Sequence, residues 1–301
     1  MKRFSVGLVY FCHMLKVANF SASNYLRSIR HRLEVSYDPS EARQLALILI
    51  PHYAGISKQK LMAEPEFALK ESEIQYIEAA LIRLLQHEPI QYITGIAHFC
   101  GHNFRVTPDV LIPRPETEEL VQWIFDEHAN QTNLQICDIG TGSGCIAISL
   151  SKRLINSRVD AFDISEKALG VASANSERLG THVDFFQIDI NDQEKWPDKE
   201  YDIIVSNPPY IPLQNKHLLP RNVADYEPAF ALFVPNDDPL LFYRAIVAFA
   251  ALRLKKNGLL YVEVHEDYAD AVVELFAGSG LLSVTLRCDI NGKKRMISGR
   301  K

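Results

Sequence analysis

Two periodicities divide the chain. From about Ser21 to Gln86 the apolar residues recur at helical spacing. Asp38-Pro39-Ser40-Glu41 reads as a helix start, with a capping Asp, a proline in the first turn and a Glu three residues after the cap. Leu45, Ala46, Leu49 and Ile50 then share one face, and Pro51 is expected to close that run. Ser72 is expected to open another helix, with Gln75 three residues on and a face of Ile74, Ile77, Leu81, Leu84 and Leu85. This region predicts a small helical bundle. From Leu134 the pattern changes to short apolar runs alternating with helical ones. Strands are predicted at Leu134–Asp138, Arg158–Asp163, His182–Ile188, Asp202–Ser206, Leu259–Val264, Leu282–Arg287 and Lys294–Ser298. Helical stretches between most of them are the signature of an α/β fold with a mainly parallel sheet.

The joining segments carry their own signals. Between His87 and about Val110, Pro89, Gly95, Gly101 and Pro108 punctuate short apolar and aromatic pieces, which predicts a linker with a hairpin. Arg114 then stands between Pro113 and Pro115, so it must be extended. Pro115 can open a helix whose first turn is acidic, which suits the helix dipole. The expected organisation is an extension over residues 1–20, a helical bundle over 21–87, a hairpin linker over 88–112 and an α/β domain over 113–301. Lys2 and Arg3 precede an apolar run to Leu15 that resembles a secretory leader, but His13 interrupts it and no clean cleavage site follows. Met14 is a second candidate for the initiating residue.

Composition narrows the class. The 301 residues are 47% hydrophobic and 23% charged, as in a globular protein with a substantial core. A net charge of -5 argues against a chain that lives by non-specific nucleic-acid binding. The five cysteines are scattered with no C-x-x-C, which points to reduced thiols in the cytoplasm and to neither a zinc site nor a disulfide framework. The apolar run from Phe4 to Leu15 is too short to span a membrane.

The chemistry concentrates at two turns. The strand ending at Ser206 runs into Asn207-Pro208-Pro209-Tyr210. Both Asn207 and Pro208 precede a proline, so the turn is stiff at successive positions. It sits at a strand's carboxyl end, where open α/β sheets bind ligands. The side-chain oxygen of Asn207 and the carbonyl of Pro208 form a rigid acceptor pair suited to the two N–H bonds of a planar –NH₂ group. The other turn is Asp138-Ile139-Gly140-Thr141-Gly142-Ser143-Gly144. Its glycines permit close approach of backbone to ligand, and the helix behind offers free N–H groups. The spacing is not that of a dinucleotide loop, whose third small residue would fall at Cys145. It suits an amino-acid-bearing ligand such as the methionine moiety of S-adenosylmethionine. Asp163, ending the second strand, can accept both ribose hydroxyls, and Asp189, ending the third, an adenine amino group. The backbone of Ile190 can complete that edge and its side chain can cover the ring.

Together these residues resemble class I S-adenosylmethionine-dependent methyltransferases, and more closely the PrmC/HemK family of protein-(glutamine-N5) methyltransferases. The resemblance rests on Glu88-Pro89-Ile90-Gln91-Tyr92-Ile93-Thr94-Gly95, on Leu111 to Glu118, on Asp138 to Gly144, on Asn207 to Tyr210, and on Tyr226-Glu227-Pro228 with Ala231-Leu232. It implies a Rossmann-like, seven-stranded, mostly parallel sheet behind an N-terminal helical bundle that helps hold the substrate. The implied substrate is the glutamine of the Gly-Gly-Gln loop in peptide chain release factors 1 and 2. The implied cofactor is S-adenosylmethionine, without a metal. A cytoplasmic monomer with no direct nucleic-acid or membrane partner is expected. Arg114 and Glu116 become candidates for shaping the glutamine pocket, with Asn207, Pro208, Pro209 and Tyr210 as the catalytic turn. Two rivals remain at this stage. Asn-Pro-Pro-Tyr is shared with DNA and RNA amino methyltransferases, and a non-catalytic S-adenosylmethionine-binding protein would use the same glycine loop.

Overall fold

The structure, a computed structural model, describes residues 21–301. The expectations for the leader-like run and for Met14 lie outside the described residues. The described chain forms two compact units, meeting in sequence at Thr94 and Gly95. The segment read as a linker, 88–112, divides between them. Ile90–Thr94 is a short helix whose Ile90 and Ile93 belong to the core of the helical unit. The strands Ile96–Phe99 (β1) and His102–Arg105 (β2) form an antiparallel hairpin in the larger unit.

The helical unit packs Ala22–Leu33, Pro39–Ala54, Lys58–Ala63 and Glu71–Leu85 around a core that includes Tyr25, Ile29, Leu49, Ile77 and Leu81. Asp38 caps as its position implies, accepting from the Ser40 N–H at 2.8 Å. Two boundaries depart from the sequence reading. Pro51 does not end its helix, which runs to Ala54 and stops at Gly55, whose φ of 62° is left-handed. A proline near a helix end gives up one hydrogen bond, and the apolar face before it holds the helix in the core. The second helix begins at Glu71, not Ser72, because Glu73 reaches back to accept the Lys70 N–H at 2.9 Å.

The larger unit is a seven-stranded sheet, in the edge-to-edge order 282–288, 294–300, 254–263, 201–206, 135–139, 158–163 and 183–187. The strands are Gln135–Ile139 (β3), Arg158–Asp163 (β4), Val183–Gln187 (β5), Tyr201–Ser206 (β6), Leu254–Glu263 (β9), Leu282–Cys288 (β10) and Lys294–Arg300 (β11). A small parallel pair, Ile211–Pro212 (β7) with Phe233–Val234 (β8), lies outside that sheet. β5, β4, β3, β6 and β9 run parallel, and β11 and β10 are antiparallel. All seven predicted strands occur. β9 starts earlier than expected, at Leu254, because an irregular start through Asn257, at φ 67°, keeps the pairing with β6. β5 is shorter, so Asp189 lies beyond its end.

Two apolar layers cover the sheet. Leu120, Val121 and Ile124 of helix Pro115–His128 and Ile146, Ile148 and Leu150 of helix Cys145–Arg153 fill one side. Tyr243, Ile246 and Phe249 of helix Leu241–Arg253, with Val272 and Phe276 of helix Ala269–Gly278, fill the other. Cys137 is wholly buried and Cys145 nearly so, as packing residues.

One buried amide ties the hairpin to the glycine loop. Asn175, on helix Glu166–Leu179, accepts from the Arg105 N–H at 2.7 Å and donates to the carbonyls of Arg105 and Ser143, each at 2.9 Å. Its truncation removes these three hydrogen bonds and leaves the buried Ser143 carbonyl without this donor. Asn175→Ala is expected to lower unfolding free energy by about 3 kcal/mol, measured by denaturant titration at unchanged secondary-structure content.

Candidate active site

The chain leaves β3 and returns beside it. It builds β4 and β5 outward on one side and then crosses back to place β6 on the other. Neighbouring parallel strands whose connections diverge leave a crevice at their carboxyl ends. Here β3 ends at Ile139 and β6 at Ser206, and the Ser206 hydroxyl donates to the Ile139 carbonyl at 2.7 Å. A cleft of about 220 Å³ opens at this point.

The glycine loop forms one wall. Gly140, Gly142 and Gly144 have φ of 73°, 55° and 79°, left-handed values that side chains resist. Their roles differ. A Cβ at Gly140 or Gly142 would meet nothing within 4 Å, and both line the cleft. A Cβ at Gly144 would press to 2.9 Å from Ile148 and 3.1 Å from Ala172. Gly144 therefore serves helix packing. Thr141 and Ser143 are buried behind the loop and also lie outside the cleft lining.

Asp138 lies under the loop, one residue before the end of β3, fully buried and outside the cleft lining. Its Oδ2 accepts from the Thr141 hydroxyl at 2.7 Å and the Ala147 N–H at 3.2 Å. Its Oδ1 is buried without a partner. Burial pushes this carboxyl up to about 7, against the lowering effect of those two hydrogen bonds. A buried acceptor left open is where a ligand donor fits.

Asp163 and Asp189 line the cleft. Asp163 accepts from the Gly142 N–H through Oδ2 and the Ser165 N–H through Oδ1, both at 2.9 Å, so its carboxylate is immobile. Burial raises its pKa and the backbone donors oppose the rise. Asp189 Oδ1 holds its own turn through the Asn191 N–H at 2.9 Å and side-chain amide at 3.0 Å. Ile190 lines the cleft beside it, and its carbonyl accepts from the Trp196 indole at 3.1 Å.

The Asn207 turn forms the opposite wall. Asn207, Pro208 and Pro209 line the cleft, whereas Tyr210 does not. The Asn207 amide donates to the Thr117 hydroxyl at 3.1 Å, which in turn donates to Glu263 Oε2 at 2.6 Å. The Tyr210 hydroxyl donates to the other oxygen, Glu263 Oε1, at 3.2 Å. Glu263 is buried at the end of β9, and burial raises its pKa against the lowering effect of its hydrogen bonds from Thr117 and Tyr210. Thr117 and Glu263 escape sequence reasoning. One hides in an acidic helix start and the other ends an apolar strand, and the contact joins positions 146 apart.

Arg114 and Glu116 also lie outside the cleft lining. Arg114 pairs with buried Glu227 at 2.5 Å, and the Ile112 N–H donates to the same carboxylate at 3.2 Å. This clamp pins the Tyr226-Glu227-Pro228 loop to the proline-flanked segment. The next turn of that loop places Phe230 and Ala231 at the cleft. Among the described residues, no group of three or more His, Cys, Asp or Glu side chains is arranged to hold a metal, and no helix is long and apolar enough to cross a membrane.

Comparison with known proteins identifies the family. Residues 24–95 match the PrmC N-terminal domain and residues 117–219 the methyltransferase small domain. A release factor glutamine methyltransferase of Bacteroides thetaiotaomicron is 41% identical over 91% of this chain and 98% of its own length. A protein of the same name from Flavobacterium psychrophilum is 40% identical over 91% of this chain and 97% of its own. A solved methyltransferase from Pyrococcus furiosus shares the fold, with a TM-score of 0.50 at 17% identity over 74% of this chain and 98% of that one. The chain belongs to the release factor glutamine methyltransferase family.

Proposed function

We propose that the protein transfers a methyl group from S-adenosylmethionine to the side-chain nitrogen of the glutamine in the Gly-Gly-Gln loop of release factors 1 and 2. The observation that carries this reading is the orientation of the Asn207 amide. Its –NH₂ is engaged by Thr117, so its oxygen is available to accept beside the glycine loop.

The residues present fit S-adenosylmethionine. The open Oδ1 of Asp138 can receive its ammonium. Asp163 retains one unused lone pair on each oxygen for two ribose hydroxyls. Asp189 and Ile190 stand together for the adenine, with Ile190 offering apolar cover. When bound, the cofactor supplies a methyl group on a positively charged sulfur. The chain's own task is to make an amide nitrogen act as a nucleophile. Asn207 Oδ1 and the Pro208 carbonyl each accept one N–H of the glutamine amide. That grip orients the nitrogen and favours its pyramidalisation, which frees the lone pair from the carbonyl. The same two acceptors strengthen as positive charge grows on nitrogen. The surplus amide proton leaves after the new C–N bond has formed. Tyr210 and the Arg114–Glu227 clamp hold the walls of this pocket, and Glu116 adds negative charge near Glu263. The helical unit docks the body of the release factor, and the protein works as a cytoplasmic monomer.

Three outcomes test the reading. Incubating unmethylated release factor with the protein and S-adenosylmethionine is expected to add one methyl to the Gly-Gly-Gln peptide by mass spectrometry, with none on a DNA oligonucleotide. Methyl on the DNA alone would hand the substrate to a nucleic acid. Asn207→Ala is expected to lower turnover by on the order of 10²–10³ while S-adenosylhomocysteine still binds in calorimetry. Binding of S-adenosylhomocysteine should also depend on pH through Asp138. Its carboxyl titrates near 7 when free, and an ammonium favours the ionised form. Affinity should therefore fall about tenfold per unit as pH drops below that value and level off above it. Asp138→Asn should bind weakly at every pH.

A further inference from the structure

The catalytic turn presents an acceptor only if the Asn207 amide is held one way round. An amide rotated by half a turn would offer an –NH₂ to a substrate –NH₂, donor against donor. Nothing in the Asn-Pro-Pro-Tyr turn itself decides between the two, because both ends of an amide fit the same space. The decision lies elsewhere. We propose that Glu263, acting through Thr117, sets the polarity of the Asn207 amide and that both are positioning residues for methyl transfer. This rests on the reading of the site given above.

The argument follows one proton. A threonine hydroxyl has a single proton and two lone pairs. Glu263 Oε2, 2.6 Å from Thr117 Oγ1, can only accept while the carboxylate is ionised, so the hydroxyl proton is committed to it. Thr117 then faces Asn207 with a lone pair, and at 3.1 Å only the –NH₂ end of the amide can satisfy it. The Asn207 oxygen is turned away from Thr117, free for the substrate. The other carboxylate oxygen accepts from Tyr210, so one buried group steadies both ends of the turn. Its place is set by the sheet. β6 and β9 are parallel partners with Ser206 opposite Val262, which puts Glu263 beside Asn207. The Tyr243 hydroxyl holds the Glu263 carbonyl at 3.1 Å. Burial raises the Glu263 pKa and Glu116 adds to the rise, while the Thr117 hydroxyl, Arg295 and the Tyr210 hydroxyl oppose it by favouring the ionised carboxylate.

The test compares Thr117→Val, Thr117→Ser, Glu263→Leu and the Val/Leu double variant. Each is assayed for release-factor methylation and for S-adenosylhomocysteine binding. Thr117→Val keeps the shape and removes the relay. It is expected to lower kcat about 10- to 100-fold, with KM for the release factor and cofactor affinity changed by less than about twofold. Thr117→Ser restores the hydroxyl and should recover most of the lost rate. Glu263→Leu releases the Thr117 proton and should cost kcat similarly. The double variant should lose no more than the worse single variant, because both act on one hydrogen-bond chain. A second readout needs no turnover. In protein carrying ¹⁵N in its asparagine side chains, one Asn207 amide proton should exchange slowly in the wild type, and both quickly in Thr117→Val. Wild-type kcat in Thr117→Val, additive losses in the double variant, or fast exchange of both protons in the wild type would each overturn the proposal. A wild type that binds S-adenosylhomocysteine but leaves the release factor unmethylated would instead remove the substrate assignment, and the exchange measurement would still judge the amide.

Discussion

The site depends on a reversal in the sheet. β3 and β6 lie side by side and parallel, yet the chain builds two further strands on one side of β3 before returning to the other. Backbone cannot fill the space above two such strand ends, because each connection leads away from it. The glycine loop on β3 and the Asn207 turn on β6 therefore face each other across a cleft. The Ser206–Ile139 hydrogen bond fixes the distance between their roots. Every other feature of the site either lines that gap or holds something that does.

What holds it is a set of buried carboxylates. Asp138, Asp163, Glu227 and Glu263 are all buried, and for each burial opposes the charge. A buried acid survives only where donors meet it. Asp163 is met by two backbone N–H groups, Glu227 by Arg114 and a backbone N–H, and Glu263 by two hydroxyls. Each of these carboxylates pins a segment separated from it in sequence, so together they make a rigid frame from loops. Asp138 is the exception, with one oxygen open, and it is the one under the glycine loop.

Much of the architecture was legible from pattern alone. The alternation after Leu134 placed all seven strands, because the central ones, buried on both faces, are apolar runs and helical stretches separate most of them. The errors were local. Pro51 does not stop a helix whose face is held in a core, and Glu73, not Ser72, decides where the next helix begins. Single-residue signals compete with packing, and packing carries more energy. The glycine loop was located correctly as an element, but its members have different duties, since only surroundings show that Gly144 abuts Ile148 and Ala172.

The chain's own chemistry determined which groups could act. Stiffness at Asn207-Pro208-Pro209, left-handed glycines and acids after successive strands are properties of residues and their immediate neighbours. Tertiary structure alone decided which way those groups point. The orientation of the Asn207 amide comes from Thr117 and Glu263, far off in sequence and brought close by parallel pairing of β6 with β9. It also bound Arg114 to Glu227 and joined the hairpin to the glycine loop through Asn175. A hydrogen bond has direction, and direction between distant residues exists only once the chain is folded.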